Sequence, residues 1–116
     1  MSPPYIYSAE IVSVYDGDTM DALVDLGFHT QVVIKVRLYG VNAPEIRGEE
    51  KEAGVMVRDF VRSLVLNKKV TIKTYKDPTD KYGRWLAEVQ GNFGDGMPQN
   101  LSSLLLIKGY AVPFMV

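Results

Sequence analysis

The chain has 116 residues, 47% of them hydrophobic, which predicts one compact domain, residues 1–116, with a single hydrophobic core. It has no cysteine, which excludes disulfides and thiolate-bound zinc or iron–sulfur clusters and leaves oxygen or imidazole as metal ligands. Thirteen Lys and Arg against 14 Asp and Glu give a net charge of −1, which argues against nucleic-acid binding unless the cations are concentrated at one site.

The first residues, MSPPYIYSAEIVSVYDG, lack a basic segment followed by a long apolar run. No stretch of the chain approaches the ~18 apolar residues of a membrane span. We therefore expect no membrane partner and no export signal. For the sequence as given this favours the cytoplasm, although the compartment itself stays unknown.

The first half of the chain reads as three strands. Residues 5–15 are rich in β-branched and aromatic residues, and the DGD at 16–18 has turn chemistry. Residues 19–26 alternate, with one face formed by Met20, Ala22, Val24 and Leu26. The loop 27–31 leads into a third strand at 32–41. These elements predict an antiparallel meander.

The second half combines helices and strands. Pro44 disfavours helix at the residue before it, and the helical spacing of apolar residues over 49–67 predicts the first helix. Strands are predicted at 68–75 and 84–91. A second helix is predicted at 99–108, because Gly109 stands where a helix commonly ends. This order predicts a five-stranded OB-type barrel with one helix between strands 3 and 4 and another after strand 5.

Three polar clusters lie at the ends of these elements: DGDT at 16–19, RLYGVNAPE at 37–45 and TDKYGR at 79–84. In this order, with a helix between the last two, they resemble the staphylococcal nuclease (thermonuclease) family. TDKYGR is the most specific of the three motifs. The resemblance covers residues 9–112, nearly the whole chain.

This resemblance implies a calcium-dependent nuclease, a metal-dependent phosphodiesterase that cuts DNA or RNA as a monomer. Asp18, the Asn42 side chain and the Ala43 backbone oxygen would be the protein ligands of Ca²⁺. Oxygen donors of this kind favour Ca²⁺ or another hard divalent cation over zinc.

The resemblance also implies the catalytic roles. Glu45 would orient and deprotonate the attacking water, and Arg37 and Arg84 would bind the phosphate oxygens. Lys81 and Tyr82 would contact a neighbouring phosphate of the substrate.

The sequence departs from the family pattern at two ligand positions. Asn42 stands where the family usually has aspartate, and Ala43 where it usually has threonine. Asn42 can still offer an amide oxygen but removes one negative charge, so we expect weaker metal binding. The segment after Glu45 is short and carries more acid than base, and the base-stacking aromatic residues of the family would align, poorly, near Phe114 and Met115.

Structural interpretations of the same residues stay open. DGDT alone is most often a turn that tolerates positive φ. Arg37 could form a structural ion pair with Glu45 or Asp18, and residues 80–84 could be only a polar hairpin turn. The alternative function is therefore a catalytically weakened OB-type module that binds nucleic acid or protein.

Overall fold

The computed structural model describes residues 5–76, 83–94 and 96–114. The helices are α1 (Lys51–Val65) and α2 (Leu101–Ile107), and a 3-10 turn at Gly48–Glu50 precedes α1. The strands of the described chain are β1 (Tyr5–Asp16), β2 (Thr19–Asp25), β3 (Gln31–Leu38), β4 (Val41–Asn42), β5 (Lys69–Lys76), β6 (Trp85–Asn92), β7 (Pro98–Asn100) and β8 (Val112–Pro113).

Five of these strands close into a barrel. They follow the order β3-β2-β1-β5-β6 with antiparallel neighbours, and a parallel pairing between β3 and β6 joins the two edges. β7 pairs with β6 in the same sheet, whereas β4 and β8 form a separate two-stranded sheet. The predicted five-stranded OB-type barrel, with one helix after the third barrel strand and one after the fifth, is confirmed.

The core fills the barrel and the space under the two helices. Alternate strand residues point inward, as the period of two requires. One face of α1 and two leucines of α2 complete this core. Its fully buried members include Ile11, Met20, Val36, Leu38, Ile72, Val89, Val57, Val61, Val65, Leu101 and Leu105. Within the described ranges, neither helix has the length and apolar character needed to cross a bilayer.

The third strand is shorter than its apolar run predicts. β3 ends at Leu38, and Gly40 takes a φ of +84° in the turn that follows. A positive φ breaks the extended backbone, so the predicted strand over 32–41 was wrong at its end. Val41 instead begins β4 and pairs with Pro113 of β8.

Two other element boundaries differ from the prediction. β7 takes up the last residue of the loop predicted at 92–98 and the first two residues of the helix predicted at 99–108, and it pairs with β6. α2 begins at Leu101 rather than at residue 99, because the Asn100 side chain caps the helix by accepting a hydrogen bond from the Ser103 N–H at 3.2 Å.

Two glycines allow α1 to lie directly against the loops at the barrel rim. A Cβ added at Gly17 would lie 2.6 Å from Val57 Cγ1 and 2.8 Å from Ala43 Cβ. Gly17 is not among the glycines with positive φ, so DGDT needs glycine for this close approach and not for turn geometry. A Cβ added at Gly54 would lie 1.9 Å from the backbone oxygen of Glu45.

We expect Gly54→Ala to lower the free energy of unfolding by about 1–3 kcal/mol, the usual range for overpacking, although alanine is the better helix former. The added methyl group has to displace the Glu45 carbonyl. Urea unfolding measures the change, and Met56→Ala, at a half-exposed position of the same helix, serves as a control expected within about 0.5 kcal/mol of wild type. An unchanged midpoint for Gly54→Ala would mean that α1 does not touch the Glu45 segment in solution.

Candidate active site

Asp18 is a buried carboxylate in the turn between β1 and β2, with 6% of its surface exposed. Its Oδ2 accepts a hydrogen bond from the backbone N–H of Ala43 at 2.9 Å, and its Oδ1 accepts one from the Thr19 hydroxyl at 3.1 Å. Its backbone oxygen accepts the N–H of Leu38 at 2.8 Å. The turn is therefore tied to the end of β3 and to the segment after β4.

Arg37 lies on β3 beside this carboxylate, and its Nη1 is 3.8 Å from Asp18 Oδ2. The same Nη1 donates to the backbone oxygens of Leu38 at 3.1 Å and Val41 at 3.0 Å, and Nη2 donates to Asn42 Oδ1 at 3.3 Å. The guanidinium is thus held in one orientation. The contact with Asp18 is one of the two ion pairs that the structural interpretation named.

Phe114 covers the Arg37 guanidinium. Its ring centre lies 5.2 Å from Arg37 Cζ, within the range of a cation–π contact. Its backbone N–H donates to the Gly40 oxygen at 2.9 Å, directly after the pairing of β8 with β4. The sequence suggested a base-stacking role near Phe114, whereas the structure places this ring on an arginine of the candidate site.

Asp16 belongs to the site, and the sequence analysis did not single it out. Its Oδ1 accepts the backbone N–H of Asp18 at 3.1 Å. Burial, a side-chain hydrogen bond with Asp18 and repulsion from that carboxylate raise the pKa of Asp16 to about 7. The repeated acid in Asp-Gly-Asp was the signal that could have identified it. Two crowded carboxylates of this kind are stabilised by a cation between or beside them.

The donor set fits a hard divalent cation only in part. Asp16 and Asp18 offer carboxylate oxygens of the type that Ca²⁺ and Mg²⁺ prefer. The Asn42 amide oxygen accepts from Arg37, and Ala43 gives its N–H to Asp18. Over the described residues, no group of three or more Asp, Glu, His or Cys is placed to hold a metal. Within the part of the chain that the structure describes, further ligands would be carbonyl or amide oxygens and water.

Glu45 and Arg84 each line a space that Asp16 also lines. Glu45 is exposed in the segment after β4 and lines a cavity of about 310 Å³ together with Tyr15 and Asp16. Arg84 directly precedes β6 and lines a groove of about 640 Å³ that also includes Asp16. Asp16 therefore borders both spaces. The predicted contacts at Lys81 and Tyr82 lie outside the described residues.

The sequence of this chain is similar to those of known proteins. A family sequence model described as "Staphylococcal nuclease homologue" matches residues 35–116. The chain is 33% identical over 106 residues to Protein ParB of Escherichia coli, which covers 88% of this chain and 54% of that protein. It is 30% identical over 109 residues to Micrococcal nuclease of Shigella flexneri, with coverages of 90% and 57%. The chain spans little more than half the length of these curated relatives.

Asp16→Asn tests the carboxylate pair through the pH dependence of stability. Asp16 has a pKa of about 7 in the folded protein against an ordinary value of 3.8. It therefore binds more protons folded than unfolded, and the free energy of unfolding falls as the pH rises through that interval. We expect Asp16→Asn to lose this decline and to be more stable than wild type at a pH above 7. Calcium should stabilise wild type more than this variant there.

Denaturant unfolding at a pH below and a pH above this interval measures the effect. Asp25→Asn, the same change at an exposed aspartate, is the control and should keep the pH dependence of wild type. Parallel pH profiles for wild type and Asp16→Asn would contradict the placement of Asp16, half-buried, in a crowded pair with Asp18.

Asn42→Asp tests the amide position of the candidate ligand set. We expect the added negative charge to tighten Ca²⁺ binding roughly tenfold, since calcium affinity follows the number of charged ligands. Isothermal titration calorimetry measures this affinity. Asn92→Asp, at an exposed position of β6, should leave it unchanged. Equal affinity for wild type and Asn42→Asp would place Asn42 outside the ligand set.

Proposed function

The chain belongs to the staphylococcal nuclease homologue family, and from this premise we propose that it is a calcium-dependent nuclease that hydrolyses phosphodiester bonds of DNA or RNA. One observation carries the proposal. At the barrel rim, Asp18 of this crowded pair lies 3.8 Å from Arg37 Nη1, and Asp16 borders the two spaces that Glu45 and Arg84 line. Closely spaced acidic and basic side chains, with the pKa of Asp16 strongly raised, are typical of a catalytic site.

Asp16, Asp18 and the segment 42–43 would hold the calcium ion, whose charge would neutralise the phosphate and favour attack on it. Arg37 and Arg84 bind the non-bridging phosphate oxygens in this proposal. Arg37 is suited to that task because the carbonyls of β3 and β4 fix its guanidinium before any substrate arrives. Such a fixed donor stabilises the charge that grows in the transition state without reorganising.

Glu45 is the proposed general base. Its carboxylate takes a proton from a water molecule as the water oxygen attacks phosphorus in line with the leaving 5′ oxygen. The exposed position of Glu45 leaves it open to water. Pro44 restricts the backbone conformation directly before Glu45. The Glu45 carbonyl lies close to Gly54, which holds the segment against α1.

A binding module on the same barrel is the second candidate. It is favoured by Asn42, whose neutral amide oxygen accepts a hydrogen bond from Arg37 and adds no negative charge to the site. Such a module would keep the arginines for phosphate contacts and have little use for Glu45.

Glu45→Gln separates the two functions. We expect it to reduce the rate of calcium-dependent cleavage of single-stranded and duplex DNA by about 100- to 10,000-fold, the usual contribution of a general base. Glu49→Gln makes the same change of charge four positions along and should cleave like wild type. A fluorescent oligonucleotide assay measures both, with chelator as the blank.

Cleavage that persists in chelator, or that is equal in Glu45→Gln and Glu49→Gln, would refute the proposed mechanism. Binding of the oligonucleotide by wild type, without cleavage at saturating calcium, would leave the binding module as the function.

A further inference from the structure

A groove of about 640 Å³ borders Asp16, and its lining includes more cations than acids. The residues 13–16 of β1, the strand β3, the segment after Glu45 and the helix α1 all contribute to it. Its cations are Lys35, Arg47, Arg58, Arg62 and Arg84, against which stand Asp16 and Asp21. The whole chain has a net charge of −1, so this groove is the locally basic site that nucleic-acid binding requires.

The cations of α1 are partly engaged by the protein itself. Arg62 donates from Nε and Nη2 to the Val14 backbone oxygen at 3.2 and 2.9 Å. Arg58 Nε lies 3.2 Å from Asp59 Oδ1. Their charges are therefore fixed on the wall of the groove. Arg47 is exposed, and its Nη2 donates to the hydroxyl of Tyr15.

Tyr15 lies exposed at an irregularity of β1. Val14 pairs with Met20 and Asp16 with Thr19, and the register shifts between them. Tyr15 is thus the extra residue of a β-bulge, a device that redirects a side chain beside a site. Tyr15 is 48% exposed and lines the groove directly before Asp16. An exposed aromatic ring held by a guanidinium combines a stacking surface with a phosphate ligand.

We propose that this groove binds the nucleotide next to the scissile phosphate of a single-stranded nucleic acid, with its base stacked on Tyr15 and its phosphate on Arg47. The assignment rests on the proposed function for the position of the scissile phosphate. A base within a duplex is already stacked between its neighbours, so a ring at this position selects unpaired strands. The volume of the groove lies within the range of about 300–1,000 Å³ usual for ligand sites.

Binding of a fluorescent oligothymidylate tests the groove by anisotropy, with calcium present. All variants are made in the Glu45→Gln background so that the strand stays intact. We expect Tyr15→Ala to weaken binding roughly 5- to 150-fold, as for loss of one stacked base, without changing the salt dependence. Arg47→Ala should reduce the slope of log affinity against log salt concentration by about 0.7, because one phosphate contact to a single strand is lost.

Matched variants separate the groove from general effects. Tyr15→Phe keeps the ring and should retain most of the affinity. Tyr5→Ala removes an exposed tyrosine at the opposite end of β1, and Lys69→Ala removes one positive charge outside the groove lining. Both should bind like the parent. If Tyr15→Ala does not fold, Tyr15→Thr replaces it with a residue suited to a strand.

The subsite is overturned if Tyr15→Ala binds the strand as Tyr5→Ala does, if it loses affinity for duplex and single strand equally, or if Arg47→Ala has the salt slope of Lys69→Ala. These outcomes do not depend on cleavage. A protein with intact Glu45 that binds through Tyr15 but never cleaves refutes the nuclease proposal and supports the subsite. One that cleaves with the same KM whether or not Tyr15 is replaced by alanine refutes the subsite alone.

Discussion

The hydrogen bond from the Ala43 N–H to the buried carboxylate of Asp18 is the contact on which the site depends. A buried carboxylate is costly unless neighbouring donors and charges compensate it. Asp18 therefore brings the segment after β4 onto the β1–β2 turn, and its backbone oxygen holds the end of β3. Arg37 reaches the same carboxylate from β3. Polar groups up to 25 positions apart along the chain thus meet at one point of the barrel rim.

Helix α1 makes this arrangement rigid from outside the barrel. It approaches so closely that only glycine fits at position 17 of the turn and at position 54 of the helix itself. At Gly17 the helix packs against the turn that carries both aspartates, and at Gly54 it packs against the backbone of Glu45. Stability and the position of the proposed general base are therefore coupled, since a change that moves α1 acts on both. The arginines of the same helix also form one wall of the basic groove.

The sequence predicted the barrel and both helices because long, regular segments carry their periodicity locally, as the buried valines of α1 show. The meeting of Asp18 with Arg37 came from the family resemblance, since no local pattern encodes so distant a contact. Asp16 was not predicted as a site residue because its raised pKa depends on burial and on the neighbouring Asp18 carboxylate in the folded protein. Tyr15 was not predicted to line a groove because a one-residue bulge leaves no periodic pattern in the sequence. Phe114 could not be placed, since the two-residue pairing of β8 with β4 is too short to have a pattern.

The remaining feature is the crowding of the two acids Asp16 and Asp18, which makes the site a candidate for a cation. A direct measurement is the titration of the side-chain carboxyl carbons by NMR, with and without calcium. We expect Asp16 to titrate with a pKa of about 7 in the free protein and at a clearly lower pH once calcium is added, because the cation stabilises the ionised form. An Asp16 that titrates near the ordinary aspartate pKa of 3.8, and that calcium leaves unchanged, would contradict the crowded carboxylate pair.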